Sequence, residues 1–335
     1  MLLQIVFTVS AFTTFSYPGG TLNEFVSALS EASGKSVVIF ANAEQVTVPT
    51  GGGAVMQSRP APVAKGEARW EDDEEMLRAV TTEWNFAGAL FGDVMALWPK
   101  AWPDGVLHEF HADAYRDAFE RLPPTSETVR APVVSFKTTG RQALLVADAR
   151  YLPGCEALEV HWFYAWTYVS ICAKDAHPQE VLAAVAAACG AKLVQAEHST
   201  SLAFDPREFR KRYIAKQSQK RASAKNDYER ATADFVIEAL RALSDEDLNE
   251  AFSHEDGSVV RVVAEESALM AAFRVRIASI ESLEGDPRAR VSLLPALRSL
   301  RSEMDLTAPL RIEYVNPNGV ISALVRTKSG ATIHF

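Results

Sequence analysis

The stretch Phe15-Ser16-Tyr17-Pro18-Gly19-Gly20-Thr21-Leu22-Asn23-Glu24-Phe25-Val26-Ser27-Ala28-Leu29, followed by Gly34 and Val37-Val38-Ile39-Phe40, decides how the chain is read. Thr13, Phe15 and Tyr17 alternate with Phe12, Thr14 and Ser16 ahead of Pro18-Gly19-Gly20, which predicts a strand ending in a turn. Thr21 with Glu24 three residues on is a capping-box signature, and Leu22, Phe25, Val26, Leu29 and Ala32 recur at helical spacing. Gly34 stops that helix, and the four apolar residues 37–40 predict a buried strand. Gly34-Lys35-Ser36 ends like a phosphate-binding loop. Such a loop needs a glycine five residues earlier and a strand leading in, whereas Leu29 stands there and a helix leads in. The segment is predicted to be a helix C-cap.

Outward from this stretch, residues 46–48 read as a short strand and 49–62 as a Gly/Pro-rich loop that includes Gly51-Gly52-Gly53. Residues 72–84 predict a second helix with Met76, Leu77, Val80 and Trp84 on one face. Its acidic start, Glu71 to Glu75, suits the positive end of a helix dipole, and five successive residues point around a helix rather than toward one metal. Residues 86–170 look β-rich. Strands at 131–137 and 142–149 are expected to flank a turn at 138–141, and 158–171 to supply more strand through Val160, Trp162, Tyr164, Trp166 and Tyr168. Asp175 and His177 open another helix, with Asp175 expected as its cap.

The chain also repeats itself. An ungapped alignment of 19–39 with 175–195 pairs Glu24 with Glu180, Ala28 with Ala184, Ala32 with Ala188, Gly34 with Gly190 and Val38 with Val194, giving two strand–helix–strand segments. After Asp205-Pro206 the pattern turns helical over 207–243, 258–283 and 287–304, a hairpin or small bundle. Asn316-Pro317-Asn318-Gly319 then joins 310–315 to 320–327 as a β-hairpin. The expected fold is α+β. It comprises a βα-sandwich module over 1–100, a β-rich segment with a second such module over 101–205, a helical hairpin or bundle over 206–305 and a terminal β-hairpin over 306–335.

Composition narrows the function classes. The 335 residues are 48% hydrophobic and carry 34 Lys and Arg against 43 Asp and Glu, a net charge of −9 that opposes a general polyanion-binding role. Cys155, Cys172 and Cys189 are odd in number and widely spaced, which is neither a disulfide framework nor a zinc site, so packed thiols are expected. The apolar run 1–15 has no Lys or Arg and predicts a strand, with a signal peptide as the alternative. The first reading implies a cytoplasmic chain and the second a periplasmic or envelope one. No other stretch is long and apolar enough to span a bilayer.

On residues 15–29, Gly34 and 37–40 the first segment resembles the secretin and TonB short N-terminal domain, with 72–84 as its second helix, and 169–193 resembles the related repeats of secretin periplasmic rings. The resemblance spans about half the chain. It implies small βα sandwiches that bind other proteins or pack into rings, with no catalytic residues or cofactor to carry over. Nothing after Asp205 alternates like membrane strands, so the resemblance is to a stand-alone relative without pore or barrel.

Three function classes follow. The leading expectation is a non-enzymatic adaptor or assembly protein that binds a protein partner or itself. A metal-dependent hydrolase or transferase would use His108, His111 and Asp113, the one local cluster of metal-ligand residue types; Phe110 and Tyr115 beside them imply packing instead. Binding of nucleic acid or an acidic partner would use Arg207, Arg210, Lys211, Arg212, Lys216, Lys220, Arg221 and Lys225, a basic run at helical spacing with Glu208 among it. Nucleophile-elbow, Cys-x-x-Cys, His-Glu-x-x-His and dinucleotide fingerprints do not occur, and no cofactor is predicted.

Overall fold

The computed structural model describes residues 13–40, 46–48, 55–56, 66–102, 134–142, 152, 158–165, 167–196, 199–254, 257–264, 266–303, 310–315, 322–326 and 332–334. They form a mixed α+β fold in two compact units. One takes in the described residues up to Lys100 and from Val134 to Ala203; the other takes in Ala101, Trp102 and those from Phe204 onward.

In the first unit β1 (Thr13–Tyr17) buries Phe15 and Tyr17 and exposes Thr13, Thr14 and Ser16. The short β2 (Gly20–Thr21) leads into α1 (Leu22–Ser33). The capping box forms as expected: Glu24 N–H donates to Thr21 Oγ1 at 3.3 Å and Thr21 N–H donates to Glu24 Oε2 at 2.8 Å. Gly34 takes φ 69° and its N–H donates to Ser30 O, closing the helix in the left-handed region that a β-carbon disfavours. Leu22, Phe25, Val26 and Leu29 are all at most 1% exposed, and their burial contributes on the order of 6–12 kcal/mol before entropic costs.

Next come β3 (Ser36–Phe40), β4 (Val46–Val48), β5 (Val55–Met56), β6 (Gly66–Trp70), α2 (Asp73–Glu83), β7 (Phe86–Phe91) and β8 (Val94–Pro99). Asp72 caps α2 by accepting from Glu75 N–H at 2.7 Å, so the acidic run serves the helix start. Then follow β9 (Val134–Gln142), β10 (Leu158–Val160), the single turn α3 (Trp162–Ala165), β11 (Tyr168–Ala176), α4 (Pro178–Cys189), β12 (Lys192–Gln195) and β13 (Thr200–Ala203).

The main sheet has the order β7-β8-β3-β11-β9, with β3 and β8 parallel and the other neighbours antiparallel. All five residues of β3 are buried. Val37 and Ile39 join the core built with β1, α1, β6 and α2, where Phe15, Phe25, Trp70, Trp84 and Phe86 meet in tilted and edge-to-face contacts. Val38 and Phe40 point to the opposite face, which α4 covers by packing on β3, β7, β8 and β11. The two repeated segments thus meet at one sheet through non-equivalent strands, β3 after the first helix and β11 before the second, while β12 joins β10 and β13 in a separate sheet; β3, apolar on both faces, needs a helix on each side, and the second segment provides it. Both helices run 12 residues and end at a left-handed glycine, Gly34 and Gly190.

Some expectations are corrected. The turn predicted at 138–141 is strand, because β9 pairs along β11. Val169 faces Arg141 and Ile171 faces Thr138, which leaves Thr139 and Gly140 opposite the single Ser170, so Gly140 sits in a bulge rather than a turn. The alternating aromatics after Val160 include a helical turn, where Tyr164 N–H donates to His161 O and Thr167 Oγ1 to Tyr164 O. The cap of α4 is His177, not Asp175. Pro178 at the first helical position fixes the start, and His177 Nδ1 accepts from Gln179 N–H. Cys172 and Cys189 are buried, with Thr167 Oγ1 donating to Cys189 Sγ at 3.3 Å, while Cys155 and residues 1–12 lie outside the described residues.

The second unit contains α5 (Pro206–Ala222), α6 (Asp227–Ala242), α7 (Asp245–Ala251), β14 (Ser258–Val263), α8 (Ala268–Ala278), a 3-10 turn (Ser279–Gly285), α9 (Pro287–Glu303), β15 (Leu310–Val315), β16 (Ser322–Arg326) and β17 (Thr332–His334). The helix predicted over 207–243 is broken at Ser223–Asn226, where Asn226 accepts from Glu229 N–H at 2.8 Å and starts a new helix. α6 packs between α5 and α8 and is accordingly apolar on several sides. The first six residues of the helix predicted over 258–283 are instead β14, paired from Ser258 opposite Val315 to Val263 opposite Leu310. The terminal hairpin forms with Val315 opposite Ser322, in a four-stranded sheet of order β14-β15-β16-β17.

Candidate functional site

His108, His111 and Asp113 lie outside the described residues. Among the described residues no group of three or more His, Cys, Asp or Glu is arranged to hold a metal ion, and no helix is long and apolar enough to cross a membrane.

All of the basic run except Lys225 sits on α5, where its cations are largely tied to carboxylates and carbonyls of their own unit. Arg207 Nε lies 2.9 Å from Asp245 Oδ2 and Arg210 Nη1 lies 2.8 Å from Asp245 Oδ1. Arg210 also donates to Leu240 O and Leu243 O, so it satisfies the open C-terminal carbonyls of α6 while tethering the start of α7. The hydrogen bonds from Arg207 and Arg210 hold the Asp245 carboxyl below its usual range. Lys211 pairs with Glu208 at 3.1 Å, and Arg212 Nε donates to the same carboxylate at 2.7 Å. Arg212 is only 2% exposed, and its guanidinium lies 5.0 Å from the Trp102 ring centroid. Arg221 meets Asp234 at 2.6 Å. Lys216 is half-buried and Lys220 and Lys225 are exposed. These side chains therefore do not form one outward stripe: helical spacing placed them on α5, but the acids that engage them come from α5, α6 and α7.

Two features of the first unit have no counterpart in the motifs of the sequence. At one end of the main sheet the Lys35 ammonium is clamped between Asp73 at 2.9 Å and Asp93 at 3.1 Å, joining the start of β3 to α2 and to the β7–β8 turn. Burial pulls the Lys35 pKa down, but the hydrogen bonds to Asp73 and Asp93 and their charges raise it overall. Glu180 of α4 lies over the same turn and accepts from Asp93 N–H.

The second feature is β7, Phe86-Ala87-Gly88-Ala89-Leu90-Phe91, which ends the sheet: among the described residues only β8 pairs with it. Its faces are covered by α2 and α4, and residues 87–91 are half-buried. Phe91 and Val94 close the two-residue turn Gly92-Asp93, in which Gly92 takes φ 56°, as the primed hairpin turns require at that position. Turn closure makes 91 and 94 a hydrogen-bonded pair. The alternation of an antiparallel ladder then gives 89 with 96 and 87 with 98 as the others. Pro99, which has no N–H, falls opposite Phe86 in a non-bonded pair, as this parity demands. The backbone groups of Phe86, Gly88 and Leu90 therefore point away from β8. The strand carries no charge, proline or described covering strand of the kind that blunts exposed edges. An uncharged six-residue run before Gly-Asp is the sequence signal that marks it.

Comparison with protein-family models, with characterised proteins and with solved structures finds no match for this chain.

Proposed function

We propose that the chain is a non-enzymatic interaction or assembly protein, and that its first unit binds partner proteins by strand addition at β7. The supporting observation is the outer edge of that strand, with the backbone groups of Phe86, Gly88 and Leu90 directed outward from a sheet whose faces are already occupied by helices. A rigid edge of this kind supplies main-chain hydrogen bonds to an incoming extended segment without rearrangement of the sheet, while the small Ala87, Gly88 and Ala89 leave room for the neighbouring backbone.

The test is capture by the full-length protein from an extract of its own cells, quantified beside a Leu90→Pro variant. This substitution removes an outward N–H and leaves the β8 ladder intact. Proteins recovered by the wild type, further copies of the chain included, and lost by the variant at unchanged circular dichroism are expected. Recovery that is equal for both proteins, or no recovery above background together with a monomeric native mass, overturns the proposal.

A further inference from the structure

We infer that the β7 edge is guarded within the chain by residues 1–12, which add beside it as a parallel strand that a partner must displace; this rests on the strand-addition reading above. The pattern of the segment is the first argument. Leu3, Ile5, Phe7 and Val9 recur at every second position with Gln4, Val6, Thr8 and Ser10 between them, and residues 1–12 hold no charged side chain and no proline. That is the pattern of a strand with one face to bury, suited to an edge that carries no charge either.

The path of the chain is the second argument. β6, the partner of β1, ends at Trp70 opposite Thr13; beyond it Glu71 N–H donates to Glu75 Oε2 at 3.2 Å and α2 begins. Residues before Thr13 therefore leave the β1–β6 ladder and need another partner for their backbone groups. They leave it at the end of the sheet where β7 finishes. Trp70 is close in sequence to Asp73, and Asp73 is joined through Lys35, at 2.9 Å and 3.1 Å, to Asp93 in the turn after Phe91. Along that route Thr13 lies no more than about 25 Å from the turn, a span that about seven or eight extended residues cross. Residues 1–4 or 1–5 then lie against Leu90 and Gly88. Entering at the Phe91 end and running back toward Phe86, the segment is parallel to β7.

Tethering is what selects this occupant. The outward backbone groups of β7 suit any extended strand, but a segment of the same chain is present at an effective concentration on the order of millimolar. A foreign strand binds only as far as it outcompetes the segment, so the edge is regulated by the chain that carries it. The same cover keeps the edges of separate molecules from pairing with one another.

The test is amide hydrogen exchange on three chains: the full-length protein, one lacking residues 1–12, and a full-length Leu3→Pro, Gln4→Pro double variant. Consecutive prolines remove an N–H that faces β7 whichever alternation holds, and they keep the length of the chain. Gly88 and Leu90 amides are expected to be protected in the full-length protein and to exchange at least about tenfold faster in both variants. Ala87, Ala89 and Phe91, which bond to β8, are expected to stay slow in all three and report an intact sheet. Capture of the proteins that Leu90→Pro loses is expected to rise when residues 1–12 are removed. Equal exchange at Gly88 and Leu90 in all three chains overturns the guard, and so does a mature chain from its own cells that begins after residue 12. If exchange is equal while Leu90→Pro still loses its partners, the guard fails and strand addition stands. Faster exchange in the variants, with capture that Leu90→Pro does not affect, keeps the added strand but overturns its role as a guard.

Discussion

At the scale of single residues, burial decides which partner of a charge pair matters more. The Lys35 side chain is 11% exposed, whereas Asp73 and Asp93 are 61% and 83% exposed. Lys35→Met leaves two carboxylates that water can solvate, and about 1 kcal/mol of stability is the expected loss in urea unfolding. Asp73→Ala with Asp93→Ala leaves a largely buried ammonium instead, and a loss of about 2–3 kcal/mol is expected. The reverse order of the two losses would sink this account of the clamp. Gly88 is a second case. A β-carbon there would stand 2.8 Å from Ala96 O and 2.9 Å from Leu97 Cδ2, so Gly88→Ala is expected to cost about 1–3 kcal/mol by the same measurement. Gly34 was legible as a helix stop because its neighbours in sequence, a helix and a strand, explain it. Gly88 was not, since the atoms that forbid a β-carbon come from α2 and β8 across the fold.

At the scale of elements, the break between α5 and α6 depends on one side chain. Asn226→Ala removes the acceptor for Glu229 N–H and is expected to destabilise the protein by about 1 kcal/mol in denaturant titration. The start of α7 carries a pH dependence. Arg207 and Arg210 depress the Asp245 carboxyl in the folded state, so their stabilisation is fully present above the unfolded value near 3.8. It is lost as pH falls through the lower folded value. The carboxylate is 29% exposed, which keeps the effect modest, and Asp245→Asn is expected to flatten that part of the acid unfolding curve. A curve of unchanged slope in the variant would count against the assignment. Element types in this unit were legible where neighbours in sequence settle them, as in α9 and the β15–β16 hairpin. They were not for Ser258–Val263, where Val259, Val262 and Val263 fit a helical spacing equally well. The strand that decides the matter, β15, arrives some fifty residues later, beyond α8 and α9.

At the scale of the whole molecule, the net charge of −9 and the engagement of Arg207, Arg210, Lys211, Arg212 and Arg221 with carboxylates predict weak, shallowly salt-dependent retention on heparin. Tight retention that falls steeply with salt would reverse this reading of α5. The internal repeat was legible from 19–39 and 175–195, and the mixed α+β class with it. That the strand after the first helix, β3, pairs with the strand before the second, β11, while β12 joins another sheet was not, because sequence similarity says nothing about which strands pair. This arrangement has a consequence for synthesis. Ser36 Oγ accepts from Lys174 N–H, 138 residues downstream, and α4, the cover for Val38, Phe40, Val94 and Ala96, ends at Cys189. A ribosome adding about 5–20 residues per second needs roughly 4–18 s to go from β8 to the end of α4. Throughout that interval one apolar face of the nascent sheet lacks its cover, and chaperone contact is expected to concentrate on chains arrested between residues 100 and 189.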